Sequence, residues 1–436
     1  MYGAANHIFM FIQQQFPDIS DLKKFAYFVL NRVVWVQIQT PDMSEALKIF
    51  ETINQRGIGL TPMDLLKNMI FRQVPREKFG TLNAHWKSIM ETLQGKELPL
   101  RFLRYYLMAN YDTSDRPNGI LREDDIYKWL NQHPEKCGYQ NDPFGFVNKL
   151  KEGAALYVRC LYAIEGELGR PHLKNITLIG GSTYRLHLWL LLAAKNFSPQ
   201  AQIRFRQVLE SVVFYATVNQ IKTNEVERVF AQWCPKIRVI GTIDDLEAFI
   251  QNDIVPVITQ WKVNCKENFM LLGMHTMQQY RIRFILARIT KYIEAKKNNG
   301  SDYAGVLELY DSGIQIEHIM PATYEGKEPP FGLSKAEYDV YKQRLGNLTL
   351  LERTINASIQ NNPFEQKCVD YRKSSYYLTR SIAQIEEVGK NTAINHMNQK
   401  MRSWSEWNPN SIRERQEMLY SLSEDIWDVF SDKETK

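Results

Sequence analysis

The chain has 436 residues, long enough for two or three domains with ample buried core. Apolar residues make up 44% and charged residues 24%, which argues against disorder, and the longest apolar run, around Leu186 to Ala194, is a helix core far short of a bilayer span. A formal charge of +5 does not by itself identify a nucleic-acid binder; five scattered cysteines (Cys137, Cys160, Cys234, Cys265, Cys368) with no Cys-x-x-Cys argue against a disulfide framework and make a reducing cytoplasm the expected compartment.

The first residues, Met1 to His7, lack the charged start and apolar centre of a signal peptide. Val33-Val34-Trp35-Val36-Gln37-Ile38 reads as a strand from its β-branched content. In Ser44 to Asn54, Ala46, Phe50 and Ile53 share one helix face, and Gly57 is a natural stop. Thr61-Pro62-Met63-Asp64 opens a second helix with a Thr cap, Pro in the first turn and an early acid, burying Leu65, Leu66, Met69 and Ile70.

Residues 76–300 read as helical. Periodic apolar stretches recur at Leu100–Met108, Phe146–Ile164, Tyr184–Ala194, Ile203–Ala216, Glu225–Phe230 and Met277–Ile293, with turn signals such as Pro117-Asn118-Gly119 and Gly169-Arg170-Pro171 between some of them. Spacing is irregular, so no solenoid repeat is expected. Trp86, Trp129, Trp189, Trp233 and Trp261 fit a helical core better than a base-stacking platform, and the histidines of this region have no metal-ligand spacing. Arg281, Arg283, Arg288, Lys291, Lys296 and Lys297 crowd one helical stretch, either as a phosphate-facing surface or as solvated helix faces.

Lys296 to Ser301 is a polar, Gly-containing linker. Beyond it, Ile314, Ile316 and His318 alternate with Gln315 and Glu317, a strand pattern that places His318 and Glu317 on opposite faces unless the strand bends at Met320-Pro321. Ser334-Lys335-Ala336-Glu337 is a capping box opening a short helix to Arg344. Leu345–Leu351 reads as a second strand, followed by Asn356 and then by a helix with Asn362 as cap and Pro363 at its first position, carrying Lys367 one turn in. Glu317 and Asn356 can offer hard oxygen ligands to a divalent cation, and His318 can serve as general base on a water. The bland alternative is a buried strand ending in a satisfied His, with Asn residues serving turns. No Gly-x-x-x-x-Gly-Lys-Ser/Thr loop, no Gly-x-Gly-x-x-Gly fingerprint and no Gly-x-Ser-x-Gly elbow occurs.

Ile316-Glu317-His318-Ile319-Met320-Pro321, with Leu345-Gly346-Asn347-Leu348-Thr349-Leu350-Leu351, Asn356, Phe364 and Lys367, resembles the His-Asn-His (ββα-metal) endonucleases of the His-x-x-Pro subclass. The likeness is dense from Ile314 to Leu378, and the lack of Cys-x-x-Cys excludes the zinc-knuckle variety. In that resemblance His318 matches the general base, Asn347 the Asn that braces the loop carrying it, and Glu317 and Asn356 the metal ligands, with Glu where many members have Asp. Lys367, Arg353 and Arg344 are the implied DNA contacts. Such units commonly follow a ParB/sulfiredoxin-like NTPase domain in modification-dependent restriction and phage-defence proteins. Ala46, Phe50, Asn54, Gly57, Leu60 and Asp64-Leu65-Leu66-Lys67 resemble the end of that domain, whose Gln/Arg-rich catalytic segment has no counterpart in this sequence.

The expected fold is mainly α: a large helical domain carrying a small ββα unit, with a residual α/β segment at the N-terminus. The expected domains are 1–75, the remnant of a mostly missing NTPase-type domain; 76–300, a helical middle; 301–385, the nuclease unit; and 386–436, a C-terminal helical cap. The expected function is metal-dependent endonucleolytic cleavage of double-stranded DNA, with or without modified bases, using Mg²⁺ or Mn²⁺. The alternative is a non-catalytic helical DNA-binding or regulatory subunit that needs a partner NTPase. A homo-oligomer is compatible with both, and no membrane partner is expected.

Overall fold

A computed structural model of the chain describes residues 2–34, 62–300, 305–324, 326–389 and 392–430. The strand expected at 33–38 lies, beyond Val34, outside the described residues, as does the helix at 44–54. Met1–Leu60 and Thr61–Lys436 form two compact units. The described part of the first is a pair of helices, Tyr2–Gln15 and Ile19–Arg32. Asp18 caps the second by accepting from Ser20 N, and the Phe16 and Phe25 rings stack across the bend at 4.5 Å.

The second unit is helical throughout its first two thirds. Each apolar stretch of the sequence lies in a helix: Pro99–Asn110, Pro143–Tyr162, Leu186–Ala193, Pro199–Val218, Thr223–Ile237 and Gln279–Lys297. Their starts are encoded locally. Asp142 and Ser198 cap helices that have Pro in the first turn, and Thr242 with Asp245 forms a full capping box. Leu186–Ala193 is buried on every side and is flanked by Pro99–Asn110, Pro143–Tyr162 and Thr223–Ile237. All five tryptophans assigned to the core are buried. Among the described residues no helix is long and apolar enough to cross a membrane.

One buried carboxylate ties distant parts of this unit together. Glu210 accepts from Arg288 Nε at 2.8 Å, Asn175 Nδ2 at 3.0 Å and Trp427 Nε1 at 3.2 Å, and His172 Nδ1 lies 2.6 Å away. Burial pushes its pKa up, but the Arg288 charge and the His172 and Asn175 contacts outweigh that and hold the carboxyl down at about 2. Four helices thus meet at one anion, the last of them the C-terminal helix Pro409–Trp427.

Among the described residues the sheet is a single antiparallel pair, β1 (Ile314–His318) and β2 (Leu348–Glu352), with Ile316 opposite Leu350 and His318 opposite Leu348. A two-stranded ribbon is marginal alone. Here one face, through Ile314, Leu348 and Leu350, joins the main core, and the other, through Leu351, joins a second core of Ile319, Met320, Tyr338, Ile359, Phe364, Tyr371 and Trp407. Between the strands, Lys335–Gln343 starts at the Ser334/Glu337 capping box read from the sequence. After β2 come Arg353–Ile359 and Phe364–Tyr371, completing a ββα unit. The cap of the latter differs from expectation: Pro363 is the N-cap residue, and no side chain, Asn362 included, caps the helix.

Candidate functional site

Asn347, fully buried, organises the turn that follows His318. Its Oδ1 accepts from Met320 N at 2.7 Å and from Trp407 Nε1 at 2.8 Å, while Nδ2 donates to Met320 O at 3.2 Å and Lys342 O at 3.0 Å. All four hydrogen-bonding positions of the amide are spent on holding Met320, the helix before β2 and the C-terminal region in one register. Tyr338 adds a further tie, its hydroxyl donating to Pro321 O at 2.6 Å.

His318 closes β1 and is half-buried. Burial, reinforced by the nearby Lys367 and Lys342 charges, drives its pKa down to about 4, so the imidazole is neutral at physiological pH. Its Nε2 is enclosed and has no protein hydrogen-bond partner. A neutral imidazole with an unspent nitrogen differs from a satisfied core histidine.

Glu317 leaves the opposite face of the strand. It is buried, and its Oε1 receives Lys367 Nζ at 2.6 Å and the Tyr371 hydroxyl at 3.0 Å. Burial raises the Glu317 pKa, and the Lys367 charge and both hydrogen bonds act against that rise. Lys367 Nζ also donates to the His318 carbonyl at 2.6 Å. Lys367, expected to reach a phosphate, is 1% exposed and faces inward, because its ammonium is the counter-charge of a carboxylate that would otherwise be buried alone. Each of the two metal ligands expected from the sequence makes a contact of its own. Asn356 Nδ2 donates to Gln315 Oε1 at 2.8 Å, Glu317 is taken by Lys367, and among the described residues no three His, Cys, Asp or Glu side chains gather. As arranged, Glu317 Oε1 faces an ammonium, which does not fit a divalent ion at that oxygen.

The remaining expected contacts separate into two groups. Arg353 is exposed at the start of the helix after β2. Arg344 is half-buried and donates to the Met270 carbonyl, a packing role between the nuclease-like unit and the helical region. The basic helix 279–297 is likewise turned inward: Arg281 donates to Ile179 O, Arg283 to Leu309 O and Ile314 O, and Arg288 to Glu210, while Lys291 pairs with Glu308 and Lys297 with Glu294. This is the solvated-or-structural reading, with Arg283 pinning the approach to β1.

Three contributors escaped the sequence. Tyr371 completes the Glu317 pair; Arg415 Nη1 donates to Gly346 O at 2.9 Å and Leu348 O at 2.8 Å; Gln416 accepts from Gly346 N at 3.0 Å and donates to Phe269 O at 2.7 Å. Tyr371 lies one turn beyond Lys367 on the same helix face and was in principle findable from that spacing. Arg415 and Gln416 lie about seventy residues from their strand contacts and leave no local signal.

Residues 262–422 match the family model for the C-terminal domain of GmrSD restriction endonucleases, and residues 4–71 match the model for the N-terminal domain of the same proteins. The second match extends the N-terminal resemblance: sequence of that domain is present from residue 4, well ahead of the string at Ala46. No curated protein matches the chain.

Proposed function

Starting from a GmrSD-like restriction or phage-defence protein that carries both N- and C-terminal GmrSD domains, we propose that this chain is a DNA endonuclease whose effector site is built on His318. The observation that supports it best is the state of that residue: a neutral imidazole with an unspent Nε2, at the end of a strand whose following turn is held by Asn347. A water hydrogen-bonded to such an imidazole loses its proton as it attacks phosphorus. Asn347 keeps the base in place, and exposed Arg353 together with Lys342 supplies positive charge for the phosphate backbone. The N-terminal domain within the same chain argues against a separate NTPase partner.

A divalent cation is the expected cofactor of an HNH-type unit, where it would neutralise the scissile phosphate. Since Glu317 is held by Lys367, this chain's own contribution is the base, its brace and the surrounding positive charge. The engagement of Glu317 also favours a second reading, a DNA-binding regulator without cleavage activity.

A plasmid-nicking assay with Mg²⁺ or Mn²⁺ separates the two. Wild-type protein should nick supercoiled DNA, and His318→Ala should lose a factor of roughly 10²–10⁴ while still retarding DNA, because a base acts in the transition state and binding rests on charge. Equal nicking by both proteins would mean the base is elsewhere. DNA retardation with no nicking by the wild type would favour the regulator.

A further inference from the structure

Two oxygens of the nuclease-like unit converge on one point. Glu317 Oε1 and the His318 carbonyl oxygen each lie 2.6 Å from Lys367 Nζ, and the Tyr371 hydroxyl approaches the same carboxylate oxygen at 3.0 Å. Oxygens turned toward one point are the donors a hard cation takes. The ammonium stands at that position, 1% exposed, on the side chain of a helix that also supplies Tyr371.

We infer that Lys367 is the resident cation of the Glu317 site: its ammonium excludes divalent ions from that carboxylate and holds the strand end that carries His318. The inference rests on the nuclease reading only in taking this unit as the active one; the occupancy of Glu317 stands on contacts alone. Lys367 is therefore a positioning residue. It acts on the base through the His318 carbonyl and fixes the charge of the pocket without drawing on solvent ions. An ammonium tethered in this way has an effective concentration that free Mg²⁺ or Mn²⁺ must overcome. Removing the charge while keeping the stem, as in Lys367→Met, leaves a buried carboxylate and a carbonyl facing an empty cation position. A divalent ion with its retained waters is then the natural occupant.

Free Mn²⁺ counted by electron paramagnetic resonance, on full-length protein without DNA, tests this directly. Expected results are that Glu317→Gln leaves Mn²⁺ binding of the otherwise wild-type chain unchanged, that Lys367→Met binds Mn²⁺ at least tenfold more tightly than wild type, and that Glu317→Gln combined with Lys367→Met loses the gain. The inference is overturned if Glu317→Gln alone weakens Mn²⁺ binding, which would make Glu317 a metal ligand already, or if Lys367→Met binds no more tightly than wild type. Should Lys367→Met fail to fold by circular dichroism, the Glu317→Gln comparison still decides. The readout is independent of DNA cleavage, so a negative nicking assay and a negative metal assay fail different claims.

Discussion

On the proposed reading, His318 sets the pH behaviour of the base-catalysed step. Its pKa of about 4 means that the neutral, proton-accepting form persists through mildly acidic conditions. The acid limb of a nicking rate–pH profile is therefore expected between pH 4 and 5, not near 6.5 where an ordinary imidazole would place it; a limb near 6.5 would show that the reacting histidine is not this one. His187 carries a different expectation. It is fully enclosed, stacked on Tyr184 at 5.5 Å, with neither ring nitrogen partnered, and burial lowers its pKa to about 3. A depressed histidine pKa means the unfolded chain binds protons first, so stability is intact above about pH 6.5 and drains away as pH falls toward 3. His187→Phe should flatten that part of a Tm–pH curve. Asn347→Ala should lower stability by about 3 kcal/mol, since it strands the Met320 N–H and the Trp407 indole N–H in a buried place where each unsatisfied donor costs ~1–3 kcal/mol; a thermal melt measures this. The residues of the site were readable one by one because the strand, the turn and their Asn are close in sequence. The direction of Lys367 was not, because whether a lysine meets a phosphate or a carboxylate depends on a partner fifty residues upstream.

The elements of the nuclease-like unit show the same division between local and distant information. The capping box at Ser334, the two strands and the helix bearing Lys367 follow from turn chemistry and alternation that a short window contains. The clamp on β2 does not. The C-terminal helix delivers Arg415 to two carbonyls of the 346–348 segment and Gln416 to both Gly346 and Phe269, so it packs at once on the strand pair and on the helical region. Gly346 permits this approach: a Cβ there would lie 2.1 Å from Ile412 O, a backbone atom with no rotamer to escape into. Gly346→Ala should push the helix off the strand, costing on the order of 2–4 kcal/mol as an overpacking change, and should lower nicking activity together with Tm. If activity falls while the melt is unchanged, Gly346 has a catalytic role that its packing does not explain. The basic helix 279–297 teaches the converse lesson. Six positive charges in one helix read either as a phosphate-facing surface or as solvated helix faces, yet Arg281, Arg283 and Arg288 spend hydrogen bonds on carbonyls and a carboxylate within the fold.

At the scale of the whole molecule, the mainly helical fold with one small ββα unit was legible because apolar periodicity over long stretches dominates any local ambiguity. The Glu210 junction was not, since His172 and Asn175, Arg288 and Trp427 come from three helices other than its own, spread over much of the chain. Glu210→Ala leaves Arg288 buried without its carboxylate and should destabilise the entire second unit, by roughly 3–5 kcal/mol if the cost of breaking a buried pair applies; a denaturant melt showing one cooperative, weakened transition would agree. Purified protein should not turn over ATP or GTP, because the chain has neither a phosphate loop nor a ParB-like Gln/Arg-rich segment; sustained release of inorganic phosphate would contradict this. The clamp residues on the C-terminal helix have a timing consequence. Arg415 and Gln416 are made about seventy residues after the segment they hold, and until they arrive the carbonyls of Gly346 and Leu348 lack their donor and the strand pair lacks its outer wall. A nascent chain, or one cut short before Pro409, therefore carries the strand pair without its finished form. On the proposed nuclease reading, expression of such truncated chains should leave the genome of the producing cell unharmed where the 436-residue chain does not.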